Sequence, residues 1–161
     1  MCIFAQKIIS MECYKVYIKQ DKSGASVVET IEDFGLYCVD IPFKPAGDVK
    51  DIVSRDWKDE NGVDEYIPAD GLKMSAYEID VKFGYKGDKL GANKAISSLL
   101  SCLTAGYVSI YDTYTGIGRQ KVRLVKLNDN AELVRDDDGD ILIFSVTLKV
   151  CDPITNISLS K

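Results

Sequence analysis

One long alternation of polar and apolar residues constrains the fold of this chain more than any other feature. Between Lys73 and Tyr85, apolar side chains occupy every second position from Tyr77 to Tyr85, and mostly polar side chains stand between them. Successive side chains of a β-strand point to opposite faces, so this segment predicts a strand with one buried face. A slip of one residue would exchange the two faces, and we therefore expect a firmly fixed register.

A single amphipathic helix is predicted directly after this strand. Its apolar residues recur at intervals of three and four, as on one face of a helix: Ile96, Leu99, Leu100 and Leu103. The pattern places the helix at about Gly91–Ala105, and Gly106 is well placed to terminate it.

The remaining periodic segments predict further strands joined by short turns. These segments are Glu12–Gln20, Val27–Ile41 with a bend at Gly35, Tyr107–Tyr111, Lys121–Leu127, Ala131–Arg135 and Ile141–Val150. Strands thus far outnumber helices. The predicted fold is mainly β, either a β-sandwich or a partly open β-barrel, with one amphipathic α-helix packed across it.

We expect residues 1–161 to form a single domain, because 161 residues are a common domain size. Residues 43–71 lack a regular period and are predicted to form a long irregular loop, which in compact domains is usually functional or mobile. Residues 154–161 follow Pro153 and are predicted to be a flexible tail.

The composition argues against several classes of partner. The formal net charge is −5, which disfavours sequence-specific binding to nucleic acid. No apolar run approaches the roughly 20 residues of a membrane span, and the first ten residues lack the pattern of a secretory signal, so we expect a cytoplasmic protein without a membrane partner. The five cysteines are scattered, which favours buried thiols in a reducing compartment over a disulfide framework.

The sequence predicts no catalytic residue, no cofactor and no metal site. The chain contains no histidine, the side chain most used for acid–base chemistry near neutral pH and for many zinc sites. The acidic run Asp136–Asp140 fails the calcium-loop template, because Val134 would be its first ligand and Ser145 would replace its last. Glu78 and Asp80 share one strand face, where a solvated surface is favoured over a catalytic carboxylate pair. The chain is therefore expected not to be an enzyme.

Aromatic residues are the candidate interface positions. Trp57 is the only tryptophan and is flanked by charges, so it either covers the edge of the core or anchors a partner. Strands favour tyrosine for packing, and interface use of Tyr111 and Tyr114 is the less favoured alternative. Together with Tyr66, these residues form the predicted subunit-interface set.

The stretch from about Arg55 to Pro153 resembles tail proteins of long-tailed bacteriophages and prophages, especially the distal-tail and tail-tube-like group. The similar features are Arg55–Gly62 followed by Tyr66, the strand Tyr77–Tyr85 with its helix, the strand beginning Tyr107-Val108-Ser109-Ile110, and the closing strand that ends at Val150-Cys151-Asp152-Pro153.

The resemblance implies a β-sandwich or barrel flanked by a helix that assembles into a ring, commonly a hexamer, around a DNA channel. It implies further copies of the chain and other tail proteins as partners, no active site and no cofactor. It also implies a location in the virion tail after assembly in the cytoplasm of the bacterial host. The alternatives are a carbohydrate- or ligand-binding β module that uses Trp57 and the aromatics of Tyr107–Tyr114, or a small carboxylate enzyme built on Glu78 and Asp80.

Overall fold

The structure is a computed structural model and describes residues 14–135 and 137–161. Its elements, in chain order, are β1 Val16–Gln20, β2 Val27–Glu29, α1 Thr30–Phe34, β3 Tyr37–Asp40, β4 Ser54–Arg55, β5 Asp64–Glu65, β6 Tyr77–Gly87, α2 Lys89–Thr104, β7 Val108–Asp112, β8 Gly118–Leu127, β9 Glu132–Val134 and β10 Asp140–Val150. The fold is mainly β with a long amphipathic helix, which confirms the predicted fold class.

One large antiparallel sheet holds most of the strands. Its spatial order is β2-β1-β7-β8-β10-β6-β3, and β9 pairs with the first half of β10. An isolated bridge joins Tyr14, just before β1, to Cys38 in β3, and the Cys38 N–H donates to the Tyr14 carbonyl at 3.2 Å. Because this bridge brings the two sides of the sheet together, the sheet curls into a partly open barrel.

The predicted alternation forms the barrel interior. On β6, Tyr77, Ile79, Val81 and Phe83 are buried, and the residues between them up to Lys82 are exposed. β6 pairs residue for residue with β10, from Tyr77 opposite Val150 to Gly87 opposite Asp140. The alternating pattern therefore predicted the buried face of β6, and the structure shows the partner strand and the register.

Helix α2 covers one end of the barrel, which we call the helix end. It joins the end of β6 to the start of β7, and these two points lie at the same end because the intervening strands are all antiparallel. Asp88 caps its first turn, since the Gly91 N–H donates to the Asp88 carboxylate at 2.8 Å. The buried face consists of Ala92, Ala95, Leu99 and Leu103.

Helix α2 differs from its prediction in two details. It begins at Lys89, two residues before the predicted start, because Asp88 supplies the cap. Ile96 and Leu100 are only partly buried, and the small side chains of Ala92 and Ala95 form the close contact instead. Gly106 follows the helix with φ of 130°, as expected for the residue that terminates it.

The extended segment predicted at Val27–Ile41 is wrong in its middle. Residues Thr30–Phe34 form α1, and Gly35 ends this helix in a left-handed conformation with φ of 69° instead of bending a strand. The buried Thr30 hydroxyl accepts from the Val16 N–H at 3.2 Å, which ties the first residue of this helix to β1. A single helical turn is too short to show a 3.6-residue period, so the sequence did not reveal it.

Two of the predicted segments include residues that lie outside the described ranges. Of the strand predicted at Glu12–Gln20, positions 12 and 13 lie outside the described residues, and β1 accounts for most of the remainder. Asp136 of the acidic turn also lies outside them.

None of the helices in the described ranges is long and apolar enough to cross a membrane.

Candidate interaction surface

The chain between β3 and β6 leaves the barrel as a two-stranded ribbon, which we define as residues 49–74. Ser54 pairs with Glu65 and Arg55 with Asp64, and at the base the Lys50 N–H donates to the Lys73 carbonyl at 2.8 Å. The ribbon enters β6 at its first residue, opposite the end covered by α2. We call this opposite end the ribbon end. The long segment predicted at 43–71 therefore contains its own local β-structure.

The ribbon carries a series of exposed apolar side chains. They are Val49, Val53, Trp57, Val63, Tyr66, Ile67 and Leu72, with Val53 and Tyr66 exposed by 76% and 70%. None of the residues of the described hydrophobic core comes from the ribbon. Single exposed apolar residues are ordinary on protein surfaces, whereas a grouped set marks an interaction site.

Trp57 lies on the ribbon and outside the core. Its side chain is 45% exposed, and the Arg55 guanidinium carbon lies 5.3 Å from the centroid of its ring. Because Trp57 lies on the ribbon, the interpretation that it covers the edge of the core is wrong. An exposed tryptophan held by a stacked arginine instead suits the alternative, an anchor for a partner.

The net charge of the chain is concentrated in the same segment. Residues 49–74 contain seven acidic and four basic side chains, a net charge of −3 out of the −5 of the whole chain. The rest of the chain has 18 acidic and 16 basic residues, a net charge of −2. The ribbon is therefore an acidic arm with apolar side chains on a barrel that is close to neutral.

The base of the ribbon is tightly packed at Gly47. A Cβ atom at this position would overlap the Ser75 carbonyl and press on Pro153. The Ser75 N–H donates to the Asp48 carbonyl at 2.7 Å, which closes the base. The ribbon therefore leaves the barrel from a defined, close-packed root.

Arg119, at the start of β8, ties this root to the end of the chain. The side chain is 2% exposed, and its guanidinium donates to the carbonyls of Lys44, Pro45 and Thr155 at 2.9, 3.0 and 3.3 Å. It also donates to the Gly118 carbonyl at 3.1 Å. The two terminal nitrogens of this buried guanidinium thus hold three separate chain segments together, while its Nε has no hydrogen-bond partner among the described residues. The sequence did not single out Arg119, because β8 carries other basic residues and only the fold buries this one.

The last residues run along the barrel surface from the Arg119 site. The Asn156 side-chain carbonyl accepts from the Gly118 N–H at 2.8 Å, and the Ile157 N–H donates to the Gly118 carbonyl at 3.2 Å. Lys161 pairs with Glu32 and Asp33 of α1 at 2.8 and 3.0 Å. The mobility expected of residues 154–161 stays a prediction.

Two of the four predicted interface residues lie near the barrel wall and not on the ribbon. Tyr114 is 69% exposed in the turn between β7 and β8 and stacks on Tyr14, with ring centroids 5.3 Å apart. Tyr111 is half-buried on β7 opposite Tyr17. The structure thus divides the set, with Trp57 and Tyr66 on the ribbon and Tyr111 and Tyr114 on β7 and its following turn.

The carboxylates considered for chemistry have structural surroundings. Asp80 accepts from the Thr147 hydroxyl at 2.5 Å and the Asn128 amide at 3.4 Å, and these hydrogen bonds lower its pKa. They attach the turn after β8 to the outer face of β6 and β10. Glu78 on the same face is exposed. Within the described ranges, no three His, Cys, Asp or Glu side chains are grouped so as to hold a metal ion.

No protein-family model matches the chain, and a search of curated proteins found no match.

Proposed function

We propose that this protein is a structural subunit of a phage or prophage tail that self-assembles into a ring, with a hexamer as the expected size, around a DNA channel. The proposal combines the sequence resemblance with the presence of one surface that has the properties of an assembly interface. In this role the protein binds further copies of itself and other tail proteins, and it performs no catalysis.

The exposed apolar side chains of the ribbon carry the proposal. A two-stranded ribbon is only marginally stable by itself, and leaving several large apolar side chains in water costs about 25 cal/mol for each Å² that a partner would bury. A neighbouring subunit removes this cost. The aromatic residues Trp57 and Tyr66 are of the types that most often dominate binding energy at protein interfaces.

The charge distribution also supports a role around DNA that passes without binding. Outside the ribbon the chain has 16 basic and 18 acidic residues, and the ribbon itself is acidic. A channel without an excess of positive charge does not retain the phosphate backbone.

Analytical ultracentrifugation over a wide concentration range, with electron microscopy of the largest species, tests this function. We expect a concentration-dependent oligomer with a ring-shaped projection. The double variant Trp57→Ala/Tyr66→Ala is expected to shift the equilibrium towards monomer, and Leu90→Ala, which removes an exposed apolar side chain from α2, is the matched control. A monomer at every concentration, together with a monomer in purified virions, would contradict the proposal. A glycan-array signal that is lost in Trp57→Ala would favour the carbohydrate-binding alternative.

A further inference from the structure

The end of β8 has one unpaired edge. Residues Arg123–Leu127 pair with β10 on one side, but the ladder between β7 and β8 stops at Val108 opposite Val122. No strand among the described residues pairs with the other side of Arg123–Leu127. Unpaired backbone groups at a strand edge can accept a further strand from another chain.

An apolar groove lies beside this edge. The end of α2 and the end of β8 border an open groove of about 530 Å³. Its lining includes Leu103, Tyr107, Arg123, Leu124 and Val125. Tyr107 and Val125 are 48% and 39% exposed. The groove therefore offers an apolar surface next to unpaired strand edges, which together suit an extended segment with apolar side chains.

The strand beside the groove is basic. β8 contains no acidic residue, and Lys121, Arg123 and Lys126 are exposed along it, with Arg123 lining the groove itself. The ribbon has the opposite character, with a net charge of −3 over residues 49–74. The two surfaces are complementary in charge, and both combine strand edges with apolar side chains.

The two surfaces lie at opposite ends of the barrel. β6 and β8 are both antiparallel to β10 and so run in the same direction. The ribbon enters at the start of β6, whereas the groove lies at the end of β8. The 11 residues of β6 correspond to a length of about 35 Å at the usual rise for a strand. This separation favours a second copy of the chain as the occupant of the groove.

We propose that the ribbon of one copy docks into the groove and along the unpaired β8 edge of the next copy. This interface rests on the proposed self-assembly and specifies its two surfaces. Because the surfaces differ, the contact is head-to-tail, and its rotation determines whether the assembly closes into a ring or continues as a filament. Trp57 and the ribbon valines supply the apolar contact, and the acidic ribbon residues face Arg123 and Lys126.

Charge reversal on each surface tests the interface. The ribbon variant is Asp64→Lys/Glu65→Lys, and the groove variant is Arg123→Glu/Lys126→Glu; all four side chains are exposed. Each variant places like charges opposite each other and is expected to weaken self-association by about tenfold or more in sedimentation velocity. Circular dichroism and a thermal midpoint confirm that each variant is folded.

Mixing the two variants provides the sharper test. In an equimolar mixture, a reversed ribbon meets a reversed groove, and an unchanged ribbon meets an unchanged groove, so every contact regains opposite charges. We expect association to return to the wild-type level in an alternating assembly. The controls make the same changes in charge elsewhere: Glu132→Lys/Asp138→Lys for the ribbon and Lys22→Glu/Lys94→Glu for the groove.

The outcomes separate this interface from the proposed function. If the wild type associates and the reversed variants associate equally well, or if mixing restores nothing, the ribbon-to-groove contact is wrong while self-assembly stands. If the wild type is monomeric at every concentration and also in purified virions, both the interface and the self-assembly proposal are overturned.

Discussion

At the scale of single residues, Arg119 belongs to a residue type that is mostly exposed, but here it is buried and connects separate segments of the chain. Its guanidinium holds the root of the ribbon and the last residues of the chain through backbone carbonyls. Carbonyl acceptors do not neutralise a charge, but they replace the water that Arg119 loses on burial. The position of the ribbon relative to the barrel therefore depends on one buried side chain.

Replacing Arg119 with alanine is expected to destabilise the protein by about 3 kcal/mol. The reason is that several carbonyls lose their hydrogen-bond donor, and water does not fully replace these hydrogen bonds. Urea unfolding followed by circular dichroism measures the change. Arg135→Ala removes an exposed arginine and should stay within about 0.5 kcal/mol of the wild type. Equal unfolding midpoints for the two variants would contradict the structural role of Arg119.

Cys38 gives the barrel a dependence on alkaline pH. Burial raises the pKa of the Cys38 thiol to about 12, and burial also raises the pKa of the neighbouring Tyr14 hydroxyl. An unfolded cysteine ionises near a pH of about 8.5. Between these values the folded state retains a proton that the unfolded state loses, so the free energy of unfolding falls as the pH rises and is unaffected by Cys38 below this window.

We therefore expect the stability to decline between about pH 9 and pH 12, by up to about 1.4 kcal/mol for each pH unit from Cys38. Urea unfolding at a series of pH values measures the slope. In Cys38→Ala the decline should be shallower, with Tyr14 responsible for part of what remains. Parallel pH profiles for the two proteins would show that the buried thiol does not cause the loss.

At the scale of elements, the long helix and the longest strands could be predicted because their periods extend over many residues. β6 and β10 follow the predicted alternation almost to their ends, and α2 differs from its prediction by two residues at its start. The turn of helix α1 escaped prediction because it is shorter than the window in which a period is visible. Its first residue, Thr30, is tied by a hydrogen bond to a strand that is distant in sequence.

Gly91 tests whether local propensity or tertiary contact decides the first turn of α2. Alanine favours a helix over glycine by up to about 1 kcal/mol, so the sequence alone predicts that Gly91→Ala stabilises the protein. The structure predicts the reverse, because a Cβ atom at this position would overlap the Tyr85 hydroxyl and press on the Asp88 carboxylate. We expect a lower unfolding midpoint for Gly91→Ala in urea.

Removing the Tyr85 hydroxyl should relieve the clash. In the background of Tyr85→Phe, the Gly91→Ala change is expected to cost less than it does in the wild type, so the two changes are not additive. A stabilising effect of Gly91→Ala in the wild-type background would show that the aromatic ring moves aside freely.

At the scale of the whole molecule, the protein consists of a barrel that contains the described core and a ribbon that contributes nothing to it. The stability of the fold therefore depends mainly on the barrel, and the proposed self-association depends on the ribbon. We expect the barrel to keep its packed interior without the ribbon.

Replacing residues 53–67 with a short glycine-serine linker tests this division. We expect the shortened protein to fold with a change in unfolding free energy of about 1 kcal/mol or less, because the removed side chains are mostly exposed and loop length affects stability weakly. The base at Val49 and Met74 is retained. Self-association should be lost in sedimentation velocity, and a shortened chain that still assembles would place the interface elsewhere.

The sequence by itself determined the period of each long element, and hence the mainly β fold and the buried face of the central strand β6. It also determined the absence of histidine and the acidic character of residues 48–70. These properties are local, because each depends on neighbours within a few residues.

Only the tertiary structure decided which isolated residues matter. It closed the barrel at Tyr14 and Cys38, buried Arg119, and placed the ribbon and the groove beside β8 at opposite ends. Contacts between residues distant in the chain produce no periodic pattern of residue types in the sequence. Their identity depends on where the strands bring them together, and for this reason the Arg119 site and the groove beside β8 became visible only in the folded protein.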